Sequence, residues 1–276
     1  MSERHRATLL RVAGSLGVLV FTLSPVVYMV LTAFSRDPRL LAPGVPFQAT
    51  TAHFAAVLQA EHLHLFAYLR NSLAVAALSA LLCLAAAAPA AYAITRIPFR
   101  GRSAVLMLVL AVSMFPQVSL VGYLFKLMSR LGWINTYLAL VFPYAALSVP
   151  LCLWILVSYF AQLPRDLDRA GLVDGCTRLQ VLVKVLLPVA APGIFSTMLL
   201  AFIFAFNEFL FALMLTTDHR AGTLPVIMAM FEGVHGQVPW GEIMAAATIS
   251  TLPVAGLAVI FQRRIVQGLT RGGVKG

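Results

Sequence analysis

Six long apolar runs, separated by polar stretches of unequal length, dominate the chain. They lie at about 9–34, 71–94, 103–125, 136–160, 189–215 and 241–261. Each is close to the ~20 residues that a helix needs to cross bilayer hydrocarbon. The pattern predicts an all-α integral membrane protein with six transmembrane helices in a single domain, 1–276. The first run competes with a signal-peptide reading, but it is too long and lacks a small-residue cleavage site, so an uncleaved helix bent at Pro25 is expected. The second is rich in alanine, which permits close helix packing in lipid. Pro116 with Gln117 interrupts the third run. Pro143 and Pro150 punctuate the fourth, and all three prolines are expected to kink their helices.

The polar stretches differ in character. Ser35 to Tyr68 carries Pro38, Pro43 and Pro46 with His53, His62 and His64, and reads as a solvated, partly helical loop. His62 and His64 lack nearby cysteines or paired carboxylates, so a metal site is not expected there. Thr95 to Arg102 is a short basic turn, Lys126 to Asn135 a short link, and Thr216 to Trp240 a loop with several Gly and Pro. The longest polar interruption of the C-terminal half is 163–188. Pro164 suits a first helical position, and Asp166 and Asp168 fall in a first turn, where carboxylates complement the helix dipole. Leu163, Leu167, Ala170 and Gly171 share a face, two of them very small, so another surface could approach it closely. Gly175 is placed to stop that helix in a left-handed conformation. Thr177 and Gln180 form a capping box for a second helix with an apolar stripe of Leu179, Leu182, Val183 and Leu186. Physics alone allows an ordinary loop with helical content or a docking hairpin at a membrane surface.

Composition narrows the class. The chain is 61% hydrophobic and 11% charged, about half the charge of a soluble domain. A net charge of +10 would suit nucleic acid only if gathered on one patch, and here it is spread through the loops. Counting Lys and Arg gives fourteen on the side of the termini, the 95–102 turn and the 163–188 loop, and six on the other. That asymmetry places both termini and the central loop in the cytoplasm. Cys83 and Cys152 sit in apolar runs and Cys176 in the central loop, with no disulfide or metal spacing. No phosphate-binding G-x-x-x-x-G-K-[ST] segment is present, so nucleotide chemistry belongs to another chain.

Asn207 and Glu208 stand in the middle of the fifth run. An intramembrane carboxylate is costly and faces a cavity or a partner. Two readings remain open: a hydrogen-bonded pair bracing helices, or polar contacts in a transport pathway. An ion-coupled secondary transporter using Glu208 is the alternative from another class, though no second deep acid or histidine supports a relay. Gln117 and Tyr123 are further pathway candidates, and Gln117 is also, with Asn71, a candidate for joining helices.

The order Asp168-Arg169-Ala170-Gly171-x-x-Asp174-Gly175, then Val185-x-Leu187-Pro188, resembles the coupling loop of permease subunits of ABC importers. Arg169 stands where that family has a glutamate, and Gly171 where it has a second alanine. Met114-Phe115-Pro116, Leu131-Gly132-x-x-Asn135-Thr136-Tyr137, Phe206-Asn207-Glu208-Phe209, Thr223-Leu224-Pro225 and the ending Gln262-Arg263-Arg264…Gly268-Leu269-Thr270…Val274-Lys275-Gly276 resemble the carbohydrate-uptake branch. The resemblance implies a type I importer permease fold with cytoplasmic coupling helices, in the plasma membrane of a bacterium or archaeon. It implies a second permease, two ATPase subunits that hold the ATP and Mg, and an extracytoplasmic sugar-binding protein, with no cofactor on this chain. Asp168, Arg169, Ala170, Gly171, Asp174 and Gly175 would meet the ATPase. The tail 268–276 would reach toward the ATPases, and the sugar would be a disaccharide such as trehalose or maltose.

Overall fold

The computed structural model describes residues 3–37, 47–60, 63–231 and 238–273, those at 3–9 and 263–273 as backbone. His62, the prolines at 38, 43 and 46, and Val274-Lys275-Gly276 fall outside them. The described residues are helical apart from loops and one antiparallel bridge between Ser35 and Ala49. They pack as two compact units.

One unit is Met1–Leu65 with Met228–Pro253. Helix α1 (Glu3–Ala33) keeps Leu10, Val18 and Phe21 exposed, the surface expected of a helix whose solvent is lipid. Phe34 packs against Phe54 of α2 (Ala52–Gln59), the rings tilted by 38° with centroids 4.6 Å apart. His53 meets the Ser35 carbonyl at 3.0 Å. Its ring also lies over Gly241, where a Cβ would come within 2.4 Å and force the imidazole to move. His53 is thus a packing group within this unit.

The other unit is Phe66–Ile227 with Val254–Gly276. It contains α3 (Leu65–Arg96), α4 (Arg102–Ser113), α5 (Val118–Arg130) and α6 (Tyr137–Gln162). Next come a helical hairpin built from α7 (Asp166–Val173), α8 (Arg178–Val181) and α9 (Leu187–Val189), then α10 (Ala191–Phe206), α11 (Leu210–Leu215) and α12 (Leu224–Ala229). The last helix, α13 (Trp240–Gly273), belongs to the first unit as far as Pro253 and to this one from Val254. Helices α6 and α10 form the main pairing. Leu140, Tyr144, Leu153, Leu156 and Phe160 are buried from α6. Gly193 of α10 lies against Tyr159, where a Cβ would be 2.5 Å from the ring. On α3 the buried positions are mostly small: Ala76, Ala80, Ala87 and Ala91 around Val75 and Cys83.

Among the described residues, four helices are long and apolar enough to cross a membrane: α1 from Leu10, α3, α6 and α13 to Gln262. The count reaches six if each of two bent pairs serves as one span. The third apolar run is therefore not the single helix expected. It breaks between Ser113 and Val118 with a 91° bend, because Pro116 offers no N–H and disfavours helix at Phe115. The second bend, 88°, separates the hairpin's second arm from α10. The fifth run also differs from expectation, since α10 ends at Phe206 and α11 starts only at Leu210. Pro143 and Pro150, in contrast, lie inside an uninterrupted α6.

Candidate coupling, pathway and outer-loop sites

The hairpin closes as its sequence prescribes. Gly175 has φ +83°. Cys176 N–H reaches Gly171 O at 3.0 Å and Gly175 N–H reaches Leu172 O at 3.1 Å, the paired bonds of a Schellman end. Thr177 Oγ1 accepts from Gln180 N–H at 3.3 Å while Gln180 Oε1 accepts from Thr177 N–H at 2.8 Å. The expected capping box is formed.

The faces, however, are arranged differently from the sequence expectation. Gly171 is buried, and a Cβ there would lie 3.0 Å from Val181 Cγ2. The small residue lets the two arms of the hairpin close on each other, so it offers no surface to a partner. Ala170 stays exposed, and the apolar groups that face outward are Leu172, Val173 (86% exposed) and Leu179. The expected stripe of the second arm also splits, with Leu182 and Leu186 buried and Leu179 and Val183 exposed. Val181 is buried as well, so the inward face of this arm is Val181, Leu182 and Leu186, and Leu179 and Val183 form the outer edge of the stripe; a π-helical turn runs through Leu182–Leu186.

The charged candidates separate too. Arg169 and Asp166 form an exposed pair at 3.3 Å within α7, and Asp174 is exposed at the helix end. Asp168 instead turns inward, 3.4 Å from Arg96 Nη1. Arg96 Nη2 also donates to Phe160 O at 2.8 Å and Leu163 O at 2.9 Å. Arg96 had been legible only as one cation of a basic turn. Its carbonyl partners lie more than sixty residues away, beyond the reach of any local pattern.

In the fifth run, Glu208 is buried and acts as a helix cap. Its carboxylate accepts from Phe211 N–H at 3.1 and 3.2 Å and from Ala212 N–H at 3.3 Å. These are orphan donors at the start of α11, and an anion suits that end of the dipole. Tyr144 of α6 is fully buried beside the carboxylate. Asn207 does not pair with Glu208; its amide donates to Ile203 O at 2.8 Å and the residue is exposed. Tyr123 is exposed on α5, which packs against α11, and Gln117 sits half-buried at the start of α5. The four pathway candidates thus form no single hydrogen-bonded cluster.

A third constellation joins motifs that are far apart in sequence. Asn71 Nδ2 donates to His219 O at 2.8 Å and Gly222 O at 2.9 Å, while its Oδ1 accepts from Tyr137 Oη. Ser72 Oγ accepts from Leu224 N–H at 2.7 Å. Asn135, at φ +61°, donates to Asp218 Oδ1 at 2.9 Å and accepts from the N–H groups of Thr217 and Asp218. Gly222 lies against Tyr68, where a Cβ would fall 2.5 Å from the ring. The loop after α11 is therefore fastened to the starts of α3 and α6. Asn71 was expected to join helices; it does so through Tyr137 of α6 and also holds two loop carbonyls.

Asp218 lies in this loop, and its carboxyl is held below the usual carboxylate range by the Asn135 amide first and the Arg220 N–H second. A depressed pKa stabilises the clamp above the ordinary carboxylate value, and that contribution is lost as pH falls through the lowered one. Asn135→Ala should bring the loss to less acidic pH. Hydrogen exchange at Thr217 to Gly222 across an acid titration would measure it, and an unshifted profile would contradict the assignment.

Comparison with known proteins gives this architecture its class. Residues 84–271 match the family model described as binding-protein-dependent transport system inner membrane component. The chain is 50% identical over 277 residues to the trehalose/maltose transport system permease protein MalG of Thermococcus litoralis, with 100% of both chains covered. It is 40% identical over 262 residues to the sulfoquinovosyl glycerol transport system permease protein SmoH of Agrobacterium fabrum, covering 94% of this chain and 91% of the relative. It is 36% identical to the trehalose transport system permease protein SugB of Mycobacterium tuberculosis, with 99% of each covered. A solved bacterial ABC transporter involved in alginate import shares the fold, with a TM-score of 0.79 at 20% identity over 95% of this chain and 98% of that one. The fold is that of an ABC importer's membrane subunit. This chain belongs to the binding-protein-dependent transport system inner membrane component family and is a permease subunit.

Proposed function

We propose that this permease forms half of the pathway of an ATP-driven disaccharide importer, with trehalose or maltose as substrate. It pairs with a second permease, receives sugar from an extracytoplasmic binding protein, and is driven by two ATPase subunits that carry the ATP chemistry. The observation that carries this reading is the capped hairpin with its exposed apolar tip, Leu172, Val173 and Leu179, in a chain half identical to a trehalose/maltose permease. A rigid turn presenting apolar groups is a natural docking knob, and rocking of docked permeases is a known way to alternate access. Asn207 and Tyr123, being exposed, are the better candidates for the pathway, while Glu208 serves the helix that follows.

The Lys and Arg count puts both termini and the hairpin in the cytoplasm, which leaves the clamped loop outside. Single cysteines test both claims in the assembled complex. Cysteine at Arg220, which is exposed, should label with an impermeant reagent in intact cells; Ala221 is buried and unsuited. Cysteines at Val173 and Leu179 should stay unlabelled from outside and crosslink to the ATPase. Outside labelling at Val173 would reverse the topology. Failure of both hairpin cysteines to crosslink in a transporting complex would refute the docking face.

A further inference from the structure

Arg96 stands where three helices meet. It ends α3, and its side chain is only 5% exposed. One nitrogen donates to Phe160 O and Leu163 O, at the last turn and C-cap of α6, and another faces the Asp168 carboxylate in the first turn of α7. Carbonyls at a helix C-terminus have no intrahelical donor, and a planar guanidinium can serve them and a carboxylate at once. Tyr92, one turn earlier on α3, lies beside the same carboxylate. A single side chain thus links two spans to the hairpin.

Stability alone does not account for this pair. Burying two charges costs desolvation that their attraction largely offsets, and apolar replacements of similar volume are often as stable. The contact is also incomplete, since both Asp168 oxygens and Arg96 Nε lack hydrogen bonds of good geometry.

We propose that Arg96 is a positioning residue for coupling: it ties the hairpin to α3 and α6, so that movement of the docked hairpin is carried into both spans. This rests on the reading of the hairpin as the ATPase docking element. The test is ATP hydrolysed per trehalose imported, in proteoliposomes holding the whole complex, with the Val173 crosslink to the ATPase as a parallel readout. Arg96→Gln and Asp168→Asn should each keep the crosslink while the ATP used per sugar rises about tenfold, the scale of a typical coupling energy. Asp168→Asn leaves the carbonyl bonds of Arg96 in place, so it carries the test if Arg96→Gln inserts poorly. The paired change Arg96→Met with Asp168→Leu should insert and crosslink, yet remain uncoupled. Restored coupling in that pair would reduce Arg96 to a stabilising contact and overturn the proposal. So would an unchanged ratio in Asp168→Asn with the crosslink retained, and that result would leave the docking face standing. No crosslink from the unmodified hairpin would remove the docking face, and this proposal with it.

Discussion

Glu208→Leu should destabilise the permease by about 2–3 kcal/mol and lower the yield of assembled complex, because buried donors lose a charged acceptor with nothing in its place. Three bonds from Phe211 and Ala212 N–H end on this carboxylate, and a leucine side chain offers them no acceptor. Glu208→Gln should behave quite differently. Its amide oxygen can still cap α11, so assembly and transport should stay within a few-fold of normal, in keeping with the small net value of one hydrogen bond. The two variants, compared by complex yield and by uptake per assembled complex, separate capping from proton coupling. A coupling acid cannot lose its titratable proton and still work, so a folded Glu208→Gln complex without transport would defeat the capping assignment. Normal yield for Glu208→Leu would do the same.

Gly171→Trp should unfold the hairpin. The Cβ alone would stand 3.0 Å from Val181 Cγ2, and an indole has no room between the two arms. Overpacking commonly costs about 1–3 kcal/mol, and a bulk of this size should exceed that range. Limited proteolysis in inverted vesicles should show new cleavage between Asp166 and Lys184, together with loss of the ATPase. Val173→Trp provides the contrast, since Val173 is 86% exposed and its replacement should leave the hairpin protease-resistant while weakening docking. Equal protease resistance in the two variants would show that the arms do not close on Gly171.

What could be read in advance follows from the range of each interaction. Caps and turns depend on residues three to five apart, so Gly175 and the Thr177–Gln180 box were legible. Apolar run length revealed the membrane class and the positions of the runs. The breaks were harder. Pro116 announces a fault, but the 91° bend depends on how α4 and α5 pack against α6 and α11. Glu208 was conspicuous as a charge among apolar residues, yet its partners are backbone donors that no side-chain pattern advertises. The role of Gly171 was misread because small size alone does not say which neighbour comes close. Asn71, Asn135 and Tyr137 were noticed as separate signals, and only the folded chain brings them to one loop.

The fit between Gly171 and Val181 also constrains how this sequence can change over time. Among permeases that carry alanine at the first position, the second should hold a residue smaller or differently branched than valine, since an added methyl at 3.0 Å forces the neighbour to yield. Alanine alone would ask the Val181 side chain to give by a few tenths of an ångström, and a smaller residue at 181 would remove that demand. The glycine here is therefore half of a linked pair, and drift at one site opens or closes the choices at the other.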